Sequence, residues 1–129
     1  MVKPIIAQSD RERVAAANPI SAAGQSFEIH EWSGSGPGYL HVHHADDEAW
    51  HVLEGTLKFR FPDGQVEAPA GTTVFVPAGL AHDYFETAGP ARYLIILTPR
   101  LGQLIQALEK APLAEHAQIM SQYESEIVG

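Results

Sequence analysis

Three histidines and one glutamate in the middle of the chain are spaced for metal chemistry. His41 and His43 are separated by one residue, Glu48 follows a short polar turn, and His82 comes after a Pro-Ala-Gly turn further along. Because successive side chains of a strand alternate between its faces, His41 and His43 point the same way and can bind one ion together. With Glu48 and His82 they suit one divalent Fe, Mn, Ni, Co or Zn ion and leave a position open.

The charge of such a site indicates the kind of substrate. Three neutral imidazoles, one carboxylate and a divalent ion carry a net charge of about +1, which favours an enolate, phenolate or carboxylate oxygen at the open position. We therefore expect a small organic substrate. Lys58 and Arg60 are expected to face solvent, which leaves Arg92 as the candidate for a basic clamp on a phosphate or dicarboxylate.

Composition narrows the class of protein. The chain has 129 residues, of which 45% are hydrophobic and 19% charged, typical of one globular domain over residues 1–129. A net charge of -8 argues against nucleic acid or an anionic membrane as partner. Without cysteine there is no disulfide and no thiolate ligand. Residues 1–19 lack the apolar core of a secretory signal and no later run spans a bilayer, so we expect a cytoplasmic protein.

Hydrophobic periodicity predicts a β-rich body followed by helices. Short alternating segments bounded by Gly and Pro predict strands between about residues 26 and 98, with a hairpin at Pro62-Asp63-Gly64. Many short strands of this kind favour a closed barrel or a sandwich. Helical spacing predicts one helix after Pro99, ended by Pro112, and a second from about 114 to 126 with Ile127 on its apolar side. We expect both helices, at about 100–127, to cover the barrel or a partner subunit.

These segments resemble the two motifs of the cupin family. His41, His43, Glu48 and Gly55 are similar to the first motif, and Gly71, Pro77, Gly79 and His82 to the second. The resemblance implies an all-β, antiparallel cupin β-barrel (a double-stranded β-helix or jelly roll) with C-terminal α-helices, a metal ion inside it and, commonly, a homodimer. The compact spacing resembles small single-domain cupins, and the C-terminal segment resembles quercetin dioxygenase-like cupins.

Two positions depart from the family pattern. Ser35 stands where the first motif usually has Gly, with Gly36 and Gly38 nearby, and Glu86 stands where the second usually has Asn. Glu86 shares strand parity with His82 and Tyr84, so it is either a second acid/base group at the barrel mouth or an exposed carboxylate at the rim.

Other aromatic and histidine side chains are weaker candidates. An aromatic pocket, or simply the core, can be formed by Trp50, Phe59, Phe75, Tyr84 and Tyr93. By strand parity, His44 is expected at the surface or behind the ligands, and His51 outside the pocket or at a subunit interface. His30 lies on the polar face of its strand and is not expected to contact the substrate.

Three functions follow from the resemblance and the ligand set. In the first, which we favour, the protein is a metal-dependent, quercetinase-like dioxygenase of a small enolic or phenolic substrate, and Glu48 also accepts the substrate's hydroxyl proton. In the second, the metal stabilises an enolate in an isomerase or decarboxylase, with Glu86 or Tyr84 moving a proton. In the third, the protein is a non-catalytic cupin that binds a small molecule.

Overall fold

The computed structural model describes residues 2–7 and 19–129. Most of residues 1–19, which are not expected to form a secretory signal, therefore lies outside the described residues. Within them the chain forms strands followed by two helices and a last short strand. The strands are β1 (Ser21–Ala23), β2 (Glu28–Ser33), β3 (His41–His43), β4 (Glu48–Glu54), β5 (Thr56–Phe61), β6 (Gly64–Pro69), β7 (Thr73–Val76), β8 (Asp83–Glu86), β9 (Arg92–Leu97) and β10 (Ser125–Ile127). The helices are α1 (Pro99–Glu109) and α2 (His116–Gln122), with a single 3-10 turn, Leu113–Glu115, between them.

The strands form two layers. One is a five-stranded antiparallel sheet in the order β1-β2-β9-β4-β7. The other consists of a three-stranded sheet, β6-β5-β8, and the antiparallel pair β10-β3. A bridge joins these two parts, because the His41 and His82 backbones exchange N–H to O hydrogen bonds of 3.1 and 2.9 Å. The bridge brings two of the predicted ligands onto neighbouring strands.

The core lies between the layers. The inward positions of β4 and β9 meet those of β5 and β8, and the ring centroids of Trp50 and Phe59 are 5.0 Å apart. The largest buried apolar side chains are Trp50, Tyr93, Phe59, Leu57, Leu101, Leu104 and Met120. The predicted antiparallel barrel with C-terminal helices is confirmed.

Gly55 connects β4 to β5 at a place where no side chain fits. Its φ is 78°, and an added Cβ would lie 2.6 Å from the Pro90 carbonyl oxygen. Only glycine adopts this backbone conformation without cost and also allows that close approach. The last glycine of the first motif therefore allows the tight connection from β4 to β5 beside Pro90.

Helix α1 covers one end of the barrel. Pro99 occupies its first turn, and the Thr98 hydroxyl accepts a hydrogen bond of 3.2 Å from the Leu101 N–H, which caps the helix. Leu101 and Leu104 are buried on its inner side. No helix among residues 2–7 and 19–129 has the length and apolarity needed to cross a membrane.

The predicted extent of the second helix is wrong. Helix α2 ends at Gln122, and the chain continues as β10, which places Ser125 opposite His43 and Ile127 opposite His41 in the antiparallel pair. The reversal occurs at Glu124, whose φ of 53° lies in the left-handed region. Strand β1 was also not predicted, since the barrel was expected to begin near residue 26.

Candidate metal centre

Three imidazoles converge in the interior of the barrel. One ring nitrogen from each of His41, His43 and His82 lies within 4.8 Å of the corresponding atoms of the other two. The exposed fractions of these residues are 6%, 6% and 0%. Strand β3 supplies the first two, and His82 immediately precedes β8. The geometry agrees with the prediction that the three side chains share one space.

Hydrogen bonds at the far side of each ring fix its orientation. His41 Nδ1 lies 3.1 Å from the Tyr39 carbonyl oxygen, and His82 Nδ1 lies 3.0 Å from that of Leu80. His43 Nδ1 is 2.8 Å from the Ser125 hydroxyl, which donates its own proton to the Tyr123 carbonyl at 3.1 Å. Because all three Nδ1 partners act as acceptors, each neutral ring carries its proton on Nδ1. Each Nε2 lone pair is then free to bind a metal.

Glu48 lies against two of these Nε2 atoms. Its Oε1 is 3.2 Å from His82 Nε2 and 3.4 Å from His43 Nε2. A carboxylate oxygen and an imidazole lone pair repel at such distances unless a proton or a cation lies between them. Ligand atoms about 2.1 Å from one ion lie roughly 3.0–3.4 Å apart at octahedral to tetrahedral angles. The two contacts of Glu48 therefore have the separations expected of donors to one small divalent ion.

Burial and mutual contacts determine the protonation of the site. Burial, with the neighbouring His82 and His43, lowers the pKa of His41 from 6.5 to about 3. Burial alone would raise the pKa of Glu48, but its contacts with His43 and His82 lower it from 4.5 to about 2. These contacts are attractive only when a proton on each Nε2 supplies the positive charge between the ring and the carboxylate, the place that a metal ion would otherwise take. The site thus presents a neutral His41 and an ionised Glu48 near neutral pH.

A cavity of about 220 Å³ opens onto these residues. His41, His43 and Glu48 contribute to its wall, together with Trp50 and Tyr84 from the barrel. The C-terminal helices supply a large apolar part of the remaining wall, through Leu101, Leu104, Ile105, Leu108 and Met120. The two helices were expected to cover either the barrel or a partner subunit, and in the structure they cover the barrel. They also shape the cavity above the site.

The loop before β3 forms another part of the cavity wall. Ser35, Gly36 and Pro37 line the cavity, and the Gly36 N–H donates a 2.8 Å hydrogen bond to the Tyr84 carbonyl. A Cβ on Gly36 would lie 2.7 Å from Asp83 Oδ1 and 3.0 Å from the Tyr84 ring. Ser35 replaces the usual glycine of the motif, and Gly36 provides the close approach one residue later.

The predicted aromatic pocket is only partly formed. Trp50 and Tyr84 line the cavity, whereas Phe59 and Tyr93 are fully buried in the core and Phe75 is 62% exposed on the outer face. Burial raises the pKa of Tyr84 to about 12, because its effect is larger than that of the hydrogen bond with the Tyr93 hydroxyl, which lowers the pKa. Tyr84 is therefore a neutral phenol near neutral pH, able to donate a hydrogen bond.

Glu86 and Arg92 are held in contacts away from the cavity. The Glu86 carboxylate accepts a 2.7 Å hydrogen bond from the Ala91 N–H, and Glu86 is not among the residues that line the cavity. Arg92 is buried and lies 3.3 Å from carboxylate oxygens of both Glu31 and Glu54. The expected basic clamp is thus committed to ion pairs on the opposite side of β9 from Tyr93 and Ile95.

The remaining histidines are placed outside the cluster. His44 is exposed and contacts Glu126, His51 is half-buried and contacts Thr73, and His30 lies between Ser21 and Glu28. None of the three lines the described cavity.

Sequence reasoning missed Ser125 and His116. Ser125 is 4% exposed and orients His43, but it was assigned to the second helix. His116 lines the cavity, and its Nδ1 lies 2.8 Å from the Tyr39 hydroxyl. The β-branched pair Ile127 and Val128 was the one sequence signal for a final strand.

Comparison with known proteins places the chain in a family. Residues 25–97 match the Cupin domain family, Cupin_2, which is more than half of the chain. The protein belongs to the cupin family. An uncharacterized protein of Streptomyces coelicolor is 30% identical over 56 residues, which cover 43% of this chain and 53% of that one. The chain therefore spans about half the length of this curated relative.

Solved structures agree with the fold. A cupin-2 domain containing protein from Shewanella frigidimarina is 25% identical with a TM-score of 0.54, covering 64% of this chain and 80% of that one. A sugar phosphate isomerase of the cupin superfamily from Silicibacter pomeroyi is 26% identical with a TM-score of 0.51, covering 57% and 50%. The three-histidine cluster in such a fold can bind a metal ion.

Replacing Ser125 tests the orientation of His43. We predict that Ser125→Ala lowers the affinity of the site for divalent ions by about 10–100-fold, as is usual for a lost hydrogen-bond partner of a ligating histidine. Competition with a chromophoric chelator measures this, and Ser121→Ala, at an exposed serine of α2, is the matched control. Equal affinities of the Ser125→Ala and wild-type proteins would contradict the assignment.

The pH dependence of stability tests the burial of neutral His41. Its pKa is lowered from 6.5 to about 3, so the unfolded chain binds the additional proton between these values. The free energy of unfolding of the metal-free protein should therefore fall as the pH drops below 6.5. Glu48, lowered from 4.5 to about 2, adds to the loss below 4.5.

Urea unfolding across this pH range measures the slope. His41→Gln should flatten it between about pH 4 and about pH 7, whereas His44→Gln, at an exposed position, should leave it unchanged. A slope that persists in His41→Gln would mean that another group is responsible.

Proposed function

We propose that the protein is a metal-dependent dioxygenase acting on a small enolic or phenolic molecule, with one divalent ion held by His41, His43, His82 and Glu48. The observation that carries the proposal is the convergence of three buried imidazoles at an apolar cavity, with the Nε2 atoms of two of them 3.2 and 3.4 Å from the buried Glu48 carboxylate. If the three histidines only formed a hydrogen-bonded core cluster, their Nδ1 atoms would not all need to donate to acceptors outside the cluster.

The ion supplies Lewis-acid stabilisation of an oxyanion and, where it is redox-active, activation of dioxygen. The protein's own side chains set the conditions for that chemistry. The three imidazoles are neutral donors, and Glu48 is the single charged donor, so the site keeps a net positive charge of about +1 that attracts an oxyanion. The apolar wall excludes water, which strengthens this attraction.

Glu48 and Tyr84 are assigned different roles. A carboxylate with a pKa of about 2 binds protons weakly, so we assign Glu48 to the ligand set first, and its action as proton acceptor stays a prediction. Tyr84, with a pKa of about 12, is a hydrogen-bond donor to the substrate. Glu86 is given no catalytic role, because its carboxylate is bound to the Ala91 N–H.

The second candidate is an isomerase that uses the metal as a Lewis acid. It is favoured by the similarity to the sugar phosphate isomerase from Silicibacter pomeroyi. The cavity argues against a phosphate-bearing substrate, since none of the described residues that line it is Lys or Arg. The homodimer that the resemblance implies stays a prediction.

Oxygen consumption distinguishes the two candidates. The protein, purified without an affinity tag, is analysed for metal and then loaded separately with Fe(II), Mn(II), Co(II), Ni(II) or Zn(II). With a diketone or a phenol, at least one redox-active ion should support dioxygen uptake at an oxygen electrode. Exchange of the diketone's acidic protons without any uptake would instead favour the isomerase, and no reaction of either kind would leave a binding protein.

Two variants show whether the reaction depends on this site. His82→Ala should weaken metal binding strongly and abolish uptake at a stoichiometric amount of metal, because it removes a ligand that is 0% exposed. His51→Ala changes a half-buried histidine outside the cavity lining that contacts Thr73, and it should leave both intact. Full metal occupancy in His82→Ala would refute the ligand set.

A further inference from the structure

The helices over the cavity are anchored at their two ends but not between them. We call residues 99–122, which contain α1 and α2, the helical cover. Leu101 and Leu104 are buried near its start, and Met120 is buried near its end. None of residues 105–119, here called the bend, is buried. Because segments with few buried contacts open at the lowest free energy, the bend is the part of the cover that can move while the barrel stays folded.

A single imidazole ties the bend to the end of α1 and to the barrel. His116 Nε2 lies 3.1 Å from the Leu108 carbonyl oxygen and 3.2 Å from that of Ala111. Since carbonyl oxygens only accept hydrogen bonds, the ring proton is on Nε2, and the Nδ1 lone pair accepts the Tyr39 hydroxyl proton at 2.8 Å. Among the residues that the structure describes, this contact with Tyr39 is the one hydrogen bond between the bend and the barrel.

Tyr39 is a firm point of attachment. The residue is 9% exposed and lies shortly before His41 in the chain. Its carbonyl oxygen is 3.1 Å from His41 Nδ1, and its ring meets the His41 ring edge-on at a centroid distance of 5.8 Å. The hydrogen bond from its hydroxyl therefore joins the bend to the part of the barrel that carries the proposed metal ligands.

The contact lies at the mouth of the cavity. His116 lines the cavity, and so do the exposed residues Trp32 and Glu109, which mark where the cavity meets solvent. The wall at Leu104 is buried instead. Movement of the bend away from Tyr39 therefore widens the mouth while the start of α1 stays packed on the barrel.

We infer that the hydrogen bond between His116 and Tyr39 is a latch, which holds the bend closed at the mouth of the cavity and must break before ions or small molecules enter or leave. When it breaks, both groups bind water instead, so this one bond favours the closed form by only about fivefold. The latch therefore slows exchange without sealing the site. This role goes beyond the proposed function, because the latch controls access whatever reaction the site performs.

Thiol labelling tests the opening without a metal ion. The chain has no cysteine, so Ile95→Cys places a single thiol in the cavity wall, and Leu57→Cys places one in the core outside that wall. After correction for each variant's free energy of unfolding, N-phenylmaleimide should label Ile95→Cys faster than Leu57→Cys. Its rate should also depend less on urea, because opening of the bend exposes less surface than unfolding does. Equal rates and equal urea dependences would show that the cavity opens only when the barrel unfolds, which would overturn the inference.

Tyr39→Phe, added to Ile95→Cys, tests the latch itself. It removes the hydroxyl but keeps the ring and the carbonyl that orients His41, so labelling should become about fivefold faster. The matched control is Tyr123→Phe, at a half-buried tyrosine outside the cavity lining, and it should leave the rate unchanged. The same rate with and without Tyr39→Phe would overturn the inference.

Two substitutions of His116 separate its two contacts. The side-chain carbonyl of asparagine takes the place of Nδ1 and can accept the Tyr39 hydroxyl proton, whereas the amide of glutamine takes the place of Nε2 and can donate to the carbonyl oxygens of α1. In the Ile95→Cys protein, His116→Gln should therefore match Tyr39→Phe, and His116→Asn should label at the original rate. Faster labelling in His116→Asn than in His116→Gln, or equal rates in the two, would contradict the latch.

Metal kinetics distinguish a latch from an effect on the ligands, and this test alone rests on the proposed site. With Co(II), Tyr39→Phe should raise the rate of binding and the rate of removal by a chelator by the same factor of about five, which leaves the dissociation constant unchanged. A weaker affinity at an unchanged binding rate would mean that the hydroxyl acts by orienting His41, and it would overturn the latch. Failure of the wild-type protein to bind Co(II) would refute the proposed metal site, while the labelling rates would still decide on the latch.

Discussion

The site depends on a positive charge between a buried carboxylate and two imidazole nitrogens, which would otherwise repel each other. Glu48 Oε1 lies 3.2 and 3.4 Å from the Nε2 atoms of His82 and His43, whose other nitrogens face acceptors. Such an arrangement inside a barrel is costly without a cation, either protons on the rings or a metal ion. The strands, the bridge between His41 and His82 and the hydrogen bonds to Nδ1 all maintain it. Without a positive charge the site destabilises the folded protein. Because the fold holds the donors together, a metal ion that binds there removes the repulsion and is held firmly.

The C-terminal segment has two roles at this site. Helices α1 and α2 supply much of the apolar wall, and β10 returns along β3 so that Ser125 can orient His43. The barrel strands alone would hold the histidines but would leave the cavity open to water. The shape of the cavity therefore depends on residues after Pro99, beyond the part of the chain that matches the cupin family.

Much of this was predictable from sequence, and the exceptions have physical reasons. The shared side of His41 and His43 followed from strand parity, and α1 followed from its leucine spacing and the proline at its start. Metal binding by these residues and Glu48 stays a prediction. The end of α2 was missed because Glu124, rather than glycine or asparagine, adopts the left-handed conformation there, so the usual stop signal was absent. The acid/base alternative for Glu86 rested on parity alone, which cannot reveal its hydrogen bond to the Ala91 N–H. Likewise, sequence could not show that Arg92 is held by Glu31 and Glu54.

The central claim is that three imidazole nitrogens and the Glu48 carboxylate bind one divalent ion. X-ray absorption spectroscopy of the Zn(II)- or Co(II)-loaded protein tests it most directly, because the scattering pattern of imidazole rings counts them. The account predicts three imidazoles and at least one oxygen at about 2.0–2.2 Å from the ion, with one imidazole lost in His43→Ala. Fewer than three imidazoles in the wild-type protein, or an unchanged pattern in His43→Ala, would contradict it.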